Sequence, residues 1–237
     1  MTTNHAQPGA LGVVGGMGPL ASAEFLKTIY EIAIAGREQE APIVFLYSDP
    51  TVPDRTQSLL NGSRTVLLDN LVSALTRLHA MGAARTVICC VTMHSVVPQL
   101  PDDLRLRLIS LLDVVYANLQ RARERHLLIC SNGTRKLGLF QEHPSWQSLR
   151  DYIVLPDDDD QDEVHKMIYR VKQGTDAAVA VPYVETLLRK YQVNSFIAGC
   201  TEMHLLARRF ANCIDPLTIV AKELANECRE DRAVAQV

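Results

Sequence analysis

One pattern occurs twice in this chain and limits what the chain can fold into. A short apolar run ends in Cys90-Val91-Thr92-Met93-His94, and a later one ends in Cys200-Thr201-Glu202-Met203-His204. Each half also opens with an apolar run and a glycine turn, Gly15-Gly16 in the first and Gly133 in the second. Strands are expected at 11–14, 42–47, 86–90, 126–130 and 195–198, and helices at 22–35, 63–81, 163–172, 177–191 and 219–229. Strands that are apolar throughout need both faces covered, which points to parallel sheets with helices on each side. The expectation is an α/β chain of two similar three-layer lobes related by a pseudo-twofold, with mainly parallel sheets. A cleft should lie between the strand C-terminal ends. A chain of 237 residues can supply two such cores. Residues 1–108 with 212–237 are assigned to the lobe of Cys90, and 109–211 to the lobe of Cys200.

Composition removes several function classes. A net charge of −3 and a pI of about 6.2 lack the basic footprint of a nucleic-acid binder. No apolar run reaches the ~18 residues of a membrane span, and residues 1–10 lack the charged-then-apolar order of a signal peptide. Six cysteines without regular spacing do not form a disulfide framework. Free thiols and a cytoplasmic location are therefore expected. The acidic run Asp157 to Asp160 reads as a solvated turn.

Cys90 and Cys200 each close a strand just ahead of an expected helix. A helix N-terminus carries partial positive charge and lowers a thiol pKa from about 8.5. The pair reads as two acid/base groups, while Cys89 points to the opposite strand face and reads as core. Two Cys-x-x-x-His units offer zinc-type ligands, but they fall in separate lobes and no metal is assigned. His94, Glu202 and His204 are read as partners of the thiols, with core histidines as the equal alternative. Donors for an anion are expected from the turn holding Met17 and Gly18, from the hydroxyls of Thr92, Thr134 and Thr201, and from Asn132 beside Gly133. Arg55 can grip a carboxylate through two parallel bonds, a salt bridge to Asp49 or Asp54 being the alternative.

Four motifs resemble, in order, those of the aspartate/glutamate racemase family. They are Gly15-Gly16-Met17-Gly18-Pro19, then Ser48-Asp49-Pro50 with Pro53-Asp54-Arg55-Thr56, then the Cys90 block, then Gly199-Cys200-Thr201-Glu202. The resemblance runs from about Leu11 to Ile219. It implies two α/β lobes, a homodimer, no pyridoxal phosphate or other cofactor, and an amino-acid substrate, mainly aspartate. It also implies that the two cysteines stand on opposite faces of the α-carbon. Inversion requires a base on one face and an acid on the other, and a reversible reaction requires them to exchange roles. Lys172 is similarly placed to a family lysine that contacts the distal carboxylate, with Lys166 and Arg170 as alternatives. A broad-specificity or hydantoin-type racemase, and a non-catalytic amino-acid sensor, are the competing readings. Three positions depart from the family pattern: Val91 where asparagine is usual, Asp49 where asparagine is frequent, and Asn132.

Overall fold

The computed structural model describes residues 9–34 and 37–235. The polar stretch before residue 9 and the expected helix end at Ala35 lie outside the described residues. Strands β1 (Ala10–Gly15), β2 (Val44–Ser48), β3 (Ala83–Ile88) and β4 (Leu108–Ile109) form one sheet in the order β2-β1-β3-β4. Strands β5 (His126–Ile129), β6 (Ile153–Val154) and β7 (Phe196–Ala198) form a second, in the order β6-β5-β7. Every pairing among these strands is parallel. Val13 stands between Leu46 and Val87, and Leu128 stands beside Ile197. This is the two-lobe, mainly parallel α/β architecture that the apolar runs predict.

The helices obey the same logic. The Arg64–Ala80 helix buries Leu67, Leu71, Ala74, Leu75 and Leu78, spaced at three and four, against the first sheet. The terminal helix, Pro216–Ala235, is longer than expected and packs on the Pro19–Ala33 and Leu111–Ala122 helices. One core cluster joins Val13, Phe25 and Ile29 to Leu128, Cys130 and Ile197, with Leu217 and Leu224 from the terminal helix. Apolar packing is thus continuous between the two sheets.

Two local expectations need correction. The acidic run is not a solvated turn. Asp157 caps the Asp158–Lys172 helix by accepting the Asp160 N–H, and Asp158, Asp159 and Asp160 fill its first turn. Negative charge there is favoured by the helix dipole, and Lys190 bridges Asp157 and Asp160. The 177–191 segment is not one helix either. It begins as a 3-10 turn, Ala177–Ala180, and becomes α-helical at Val181–Lys190, where Pro182 suits the first turn.

The glycine turn after β1 is fixed by sterics. Gly16 has φ +87°, and a Cβ there would overlap the backbone of Asp49. Gly82 also has positive φ, at +98°, but nothing lies within 4 Å of a Cβ placed there. Gly82→Ala should therefore cost about 1 kcal/mol, from backbone conformation alone. Gly16→Ala should cost more, because β2 and its loop must shift. Urea midpoints of the two variants measure the difference, and equal midpoints would contradict the account.

Candidate active site

Both cysteines leave the C-terminal edge of their sheets in the same manner. Cys90 caps a 3-10 segment, Val91–Gln99, and Cys200 caps another, Thr201–Met203. Both have extended backbone and are almost buried, at 6% and 5% exposure. The turn after β3 contacts the Asn132–Lys136 helix of the second half. The turn after β7 contacts the Pro19–Ala33 helix of the first. The two sheets thus present their C-terminal edges to each other, and each thiol senses its neighbours across that meeting. Cys90 and Cys200 lie within electrostatic reach of each other, and Lys172 within reach of both.

The thiols have unlike neighbours. Arg55 lies within electrostatic reach of Cys90. Cys200 instead donates its S–H to Glu202 Oε2 at 2.7 Å. Burial pushes the Cys200 thiol well up, the Glu202 carboxylate pushes it further, and Lys172 opposes them. The expected lowering by a helix N-terminus does not dominate at Cys200. The segment that Cys200 caps is a 3-10 turn of three residues, too short to outweigh burial and a carboxylate.

Arg55 is the first residue of the Arg55–Leu60 helix, which Asp54 caps by accepting the Gln57 N–H. It is 8% exposed. Its Nη2 donates to the Met17 carbonyl at 2.6 Å, and its Nη1 to the carbonyls of Val52 and Pro53, both at 3.2 Å. Its Nε has no partner. The alternative salt bridge is not formed: Asp49 accepts the N–H and hydroxyl of Thr51, and Asp54 turns to Gln57 and Tyr169. A buried guanidinium bonded only to neutral oxygens remains open to an anion.

Lys172, not Lys166 or Arg170, faces this site. Lys166 is exposed and pairs with Glu163, and Arg170 is exposed. The Lys172 ammonium lies 3.9 Å from Glu202 Oε1 and 4.8 Å from the centre of the Tyr169 ring. Burial alone would lower its pKa, but Cys200, Glu202 and Cys90 together raise it further than burial and Arg55 lower it. Glu202, 2% exposed, keeps Oε1 without a hydrogen bond. Gly18 makes room for that oxygen, since a Cβ at 18 would overlap it.

Several expected donors are already engaged. Gly16 N–H points to Ser22 Oγ, and Met17 offers Arg55 its carbonyl. Thr201 donates to the Cys89 carbonyl at 3.1 Å. Thr92 meets Ser131 and Thr134 at 3.1 and 2.9 Å, a hydroxyl cluster spanning the two halves. Ser131, which caps the Asn132–Lys136 helix, joins the site although sequence reasoning passes over it; its place just before the Asn-Gly-Thr turn is the N-cap signal that could have found it. Asn132 is held by Gln161, Asp162 and His165 of the facing helix. Gly133 allows close approach, with Thr56 Oγ1 2.7 Å from where a Cβ would stand.

Neither histidine bonds a thiol. His94 Nδ1 faces the carbonyls of Cys90 and Val91, and its Nε2 accepts the Leu111 N–H at 3.0 Å. It staples the Cys90 turn to the next helix, and burial lowers its pKa. His204 pairs with Asp215 at 2.6 Å and with Thr28 at 3.1 Å. The ring nitrogens of both are thus committed elsewhere, and no group of three or more metal-type ligands occurs among the described residues. Val91 is buried in the shared core.

Two buried thiols stand at matched strand ends of this α/β protein, with Arg55, Lys172 and Glu202 near them. The family model described as Asp/Glu/Hydantoin racemase matches residues 14–224. The chain belongs to that family, whose members are isomerases. Among solved structures, the aspartate racemase of Picrophilus torridus is similar at 24% identity and TM-score 0.78, covering 95% of this chain and 98% of that one. A glutamate racemase of Francisella tularensis, in complex with D-glutamate, is similar at 14% identity and TM-score 0.64, covering 94% and 82%. The allantoin racemase of Klebsiella pneumoniae shares 13% identity at TM-score 0.56, covering 93% and 88%. These likenesses are of fold. No described helix is long and apolar enough to cross a membrane.

The Cys200–Glu202 contact has a measurable consequence. Glu202→Gln removes a negative charge and weakens the acceptor that holds the S–H, and both changes favour thiolate. The pH midpoint for iodoacetamide labelling of Cys200, read by mass spectrometry of its peptide, should fall. An unchanged or higher midpoint would contradict the contact.

Proposed function

We propose that the protein racemises an acidic amino acid, L-aspartate to D-aspartate and the reverse, without a cofactor, using Cys90 and Cys200 as paired base and acid. The observation that carries this is the placement of two buried thiols at equivalent strand ends, within electrostatic reach of each other and of Arg55 and Lys172. In the free site burial and Glu202 keep the proton on Cys200, and Arg55 lies near Cys90. One thiol removes the α-proton while the other delivers a proton to the opposite face. Starting from the other enantiomer, the roles reverse.

The α-proton is far less acidic than a thiol, so the site must stabilise the carbanion as it forms. Arg55 and Lys172 supply fixed positive charge in a site shielded from water, where it acts strongly. Two cations also favour a substrate with two carboxylates over a neutral side chain. Glu202 Oε1, without a hydrogen bond, is suited to accept the substrate ammonium. We further take the protein to act as a homodimer in the cytoplasm, with 1–108 and 212–237 forming one lobe and 109–211 the other.

Chiral chromatography of aspartate and glutamate reaction mixtures tests the proposal. Cys90→Ala and Cys200→Ala should each lower racemisation by at least about a hundredfold, the usual worth of a positioned acid or base. Arg55→Leu should raise KM more than about tenfold, since a charged grip on a carboxylate is lost. Normal turnover in either cysteine variant would defeat the pairing. Turnover of a hydantoin with none of aspartate or glutamate would move the substrate class.

A further inference from the structure

Tyr169 lies on the Asp158–Lys172 helix of the second half, yet its hydroxyl donates to Asp54 Oδ2 of the first half at 2.6 Å. Its partner is not an idle surface acid. The other oxygen of Asp54 accepts the Gln57 N–H and starts the helix whose first residue is Arg55. The ring of Tyr169 also lies beneath the ammonium of Lys172, 4.8 Å away. One half-buried side chain thus touches the support of both cations. Burial pushes Asp54 up, but Tyr169, the Gln57 N–H, Arg55 and Lys172 outweigh it and hold its carboxylate below the usual range. The acceptor is therefore charged, which makes this a strong class of hydrogen bond.

We propose that Tyr169 is a positioning residue that latches the two halves through Asp54 and sets the placement of Arg55 relative to Lys172, and with it the preference for a dicarboxylic substrate. The inference rests on the racemase reading and deepens it. Arg55 and Lys172 come from different halves, and the ion pair of Lys172, with Glu202, does not include Arg55. The bond from Tyr169 to Asp54 ties the residue before Arg55 to the helix turn that carries Lys172. A ligand held at both ends by carboxylates needs that separation fixed before it binds.

Steady-state kinetics on Tyr169→Phe, Asp54→Asn and the double variant test it. The phenylalanine keeps a ring under Lys172 and removes only the latch. KM for aspartate should rise about tenfold, the worth of one hydrogen bond to a charged group, with kcat within about threefold of wild type. The double variant should be no worse than the worse single variant, because both break the same bond. Tyr169→Leu, which also removes the ring, should raise KM further. Unchanged KM in Tyr169→Phe, or additive effects in the double variant, would overturn the latch and leave Tyr169 as packing. If the wild type racemises neither aspartate nor glutamate, the functional reading fails by itself. The latch is then read from amide hydrogen exchange: faster exchange at 54–60 in Tyr169→Phe supports it, and unchanged exchange overturns it.

Discussion

The site is organised around a guanidinium that is buried without a carboxylate. Removing a charge from water costs several kcal/mol unless partners replace the water. Arg55 recovers part of that through three backbone carbonyls. The rest of the architecture supplies those partners. Gly16 bends the chain with positive φ so that the Met17 carbonyl can point at Arg55. Asp54 begins the helix that aims the side chain inward, and the loop after β2 brings up Val52 and Pro53. The remainder is left as positive charge with an unpartnered Nε.

The symmetry of the fold does not extend to its electrostatics. The two thiols share backbone setting, burial and position at a strand end, yet one meets a cation and the other a carboxylate. Burial and the Glu202 carboxylate favour the protonated form of Cys200, whereas Cys90 has Arg55 nearby. Lys172 lies near Glu202 and senses both sulfurs, so it can temper the acid on the Cys200 side. The hydroxyls that join the halves, Thr92 with Ser131 and Thr134, and Thr201 on the Cys89 carbonyl, keep this unlike pair in register.

Much of this is legible in the sequence because it is local. Apolar runs report buried parallel strands, glycines report a turn that excludes Cβ, and the repeated Cys-x-x-x-His marks equivalent strand ends. The acidic run carries its signal too, since aspartates preceding an apolar periodicity form a cap and first turn, but charge alone suggests a solvated loop. The histidine roles stay open in sequence because the same spacing serves a thiol or the backbone. His94 takes the carbonyls of Cys90 and Val91, four and three residues back. Sequence does not carry which side chains meet across the halves. Tyr169 finds Asp54 across 115 positions, and Thr92 finds Thr134 across 42, and no periodicity encodes either. The hydroxyls expected at the site, those of Thr92, Thr134 and Thr201, also make such junctions.

The central claim is that two different thiols act on opposite faces of one α-carbon. It is tested most directly by following L-aspartate in deuterated water at low conversion. Each thiol exchanges its proton with solvent before it meets a substrate. The account predicts that the D-aspartate formed carries deuterium at the α-carbon while the remaining L-aspartate is still protiated. Product that retains the original proton, or deuterium appearing equally in both enantiomers from the start, would show a single base and contradict it.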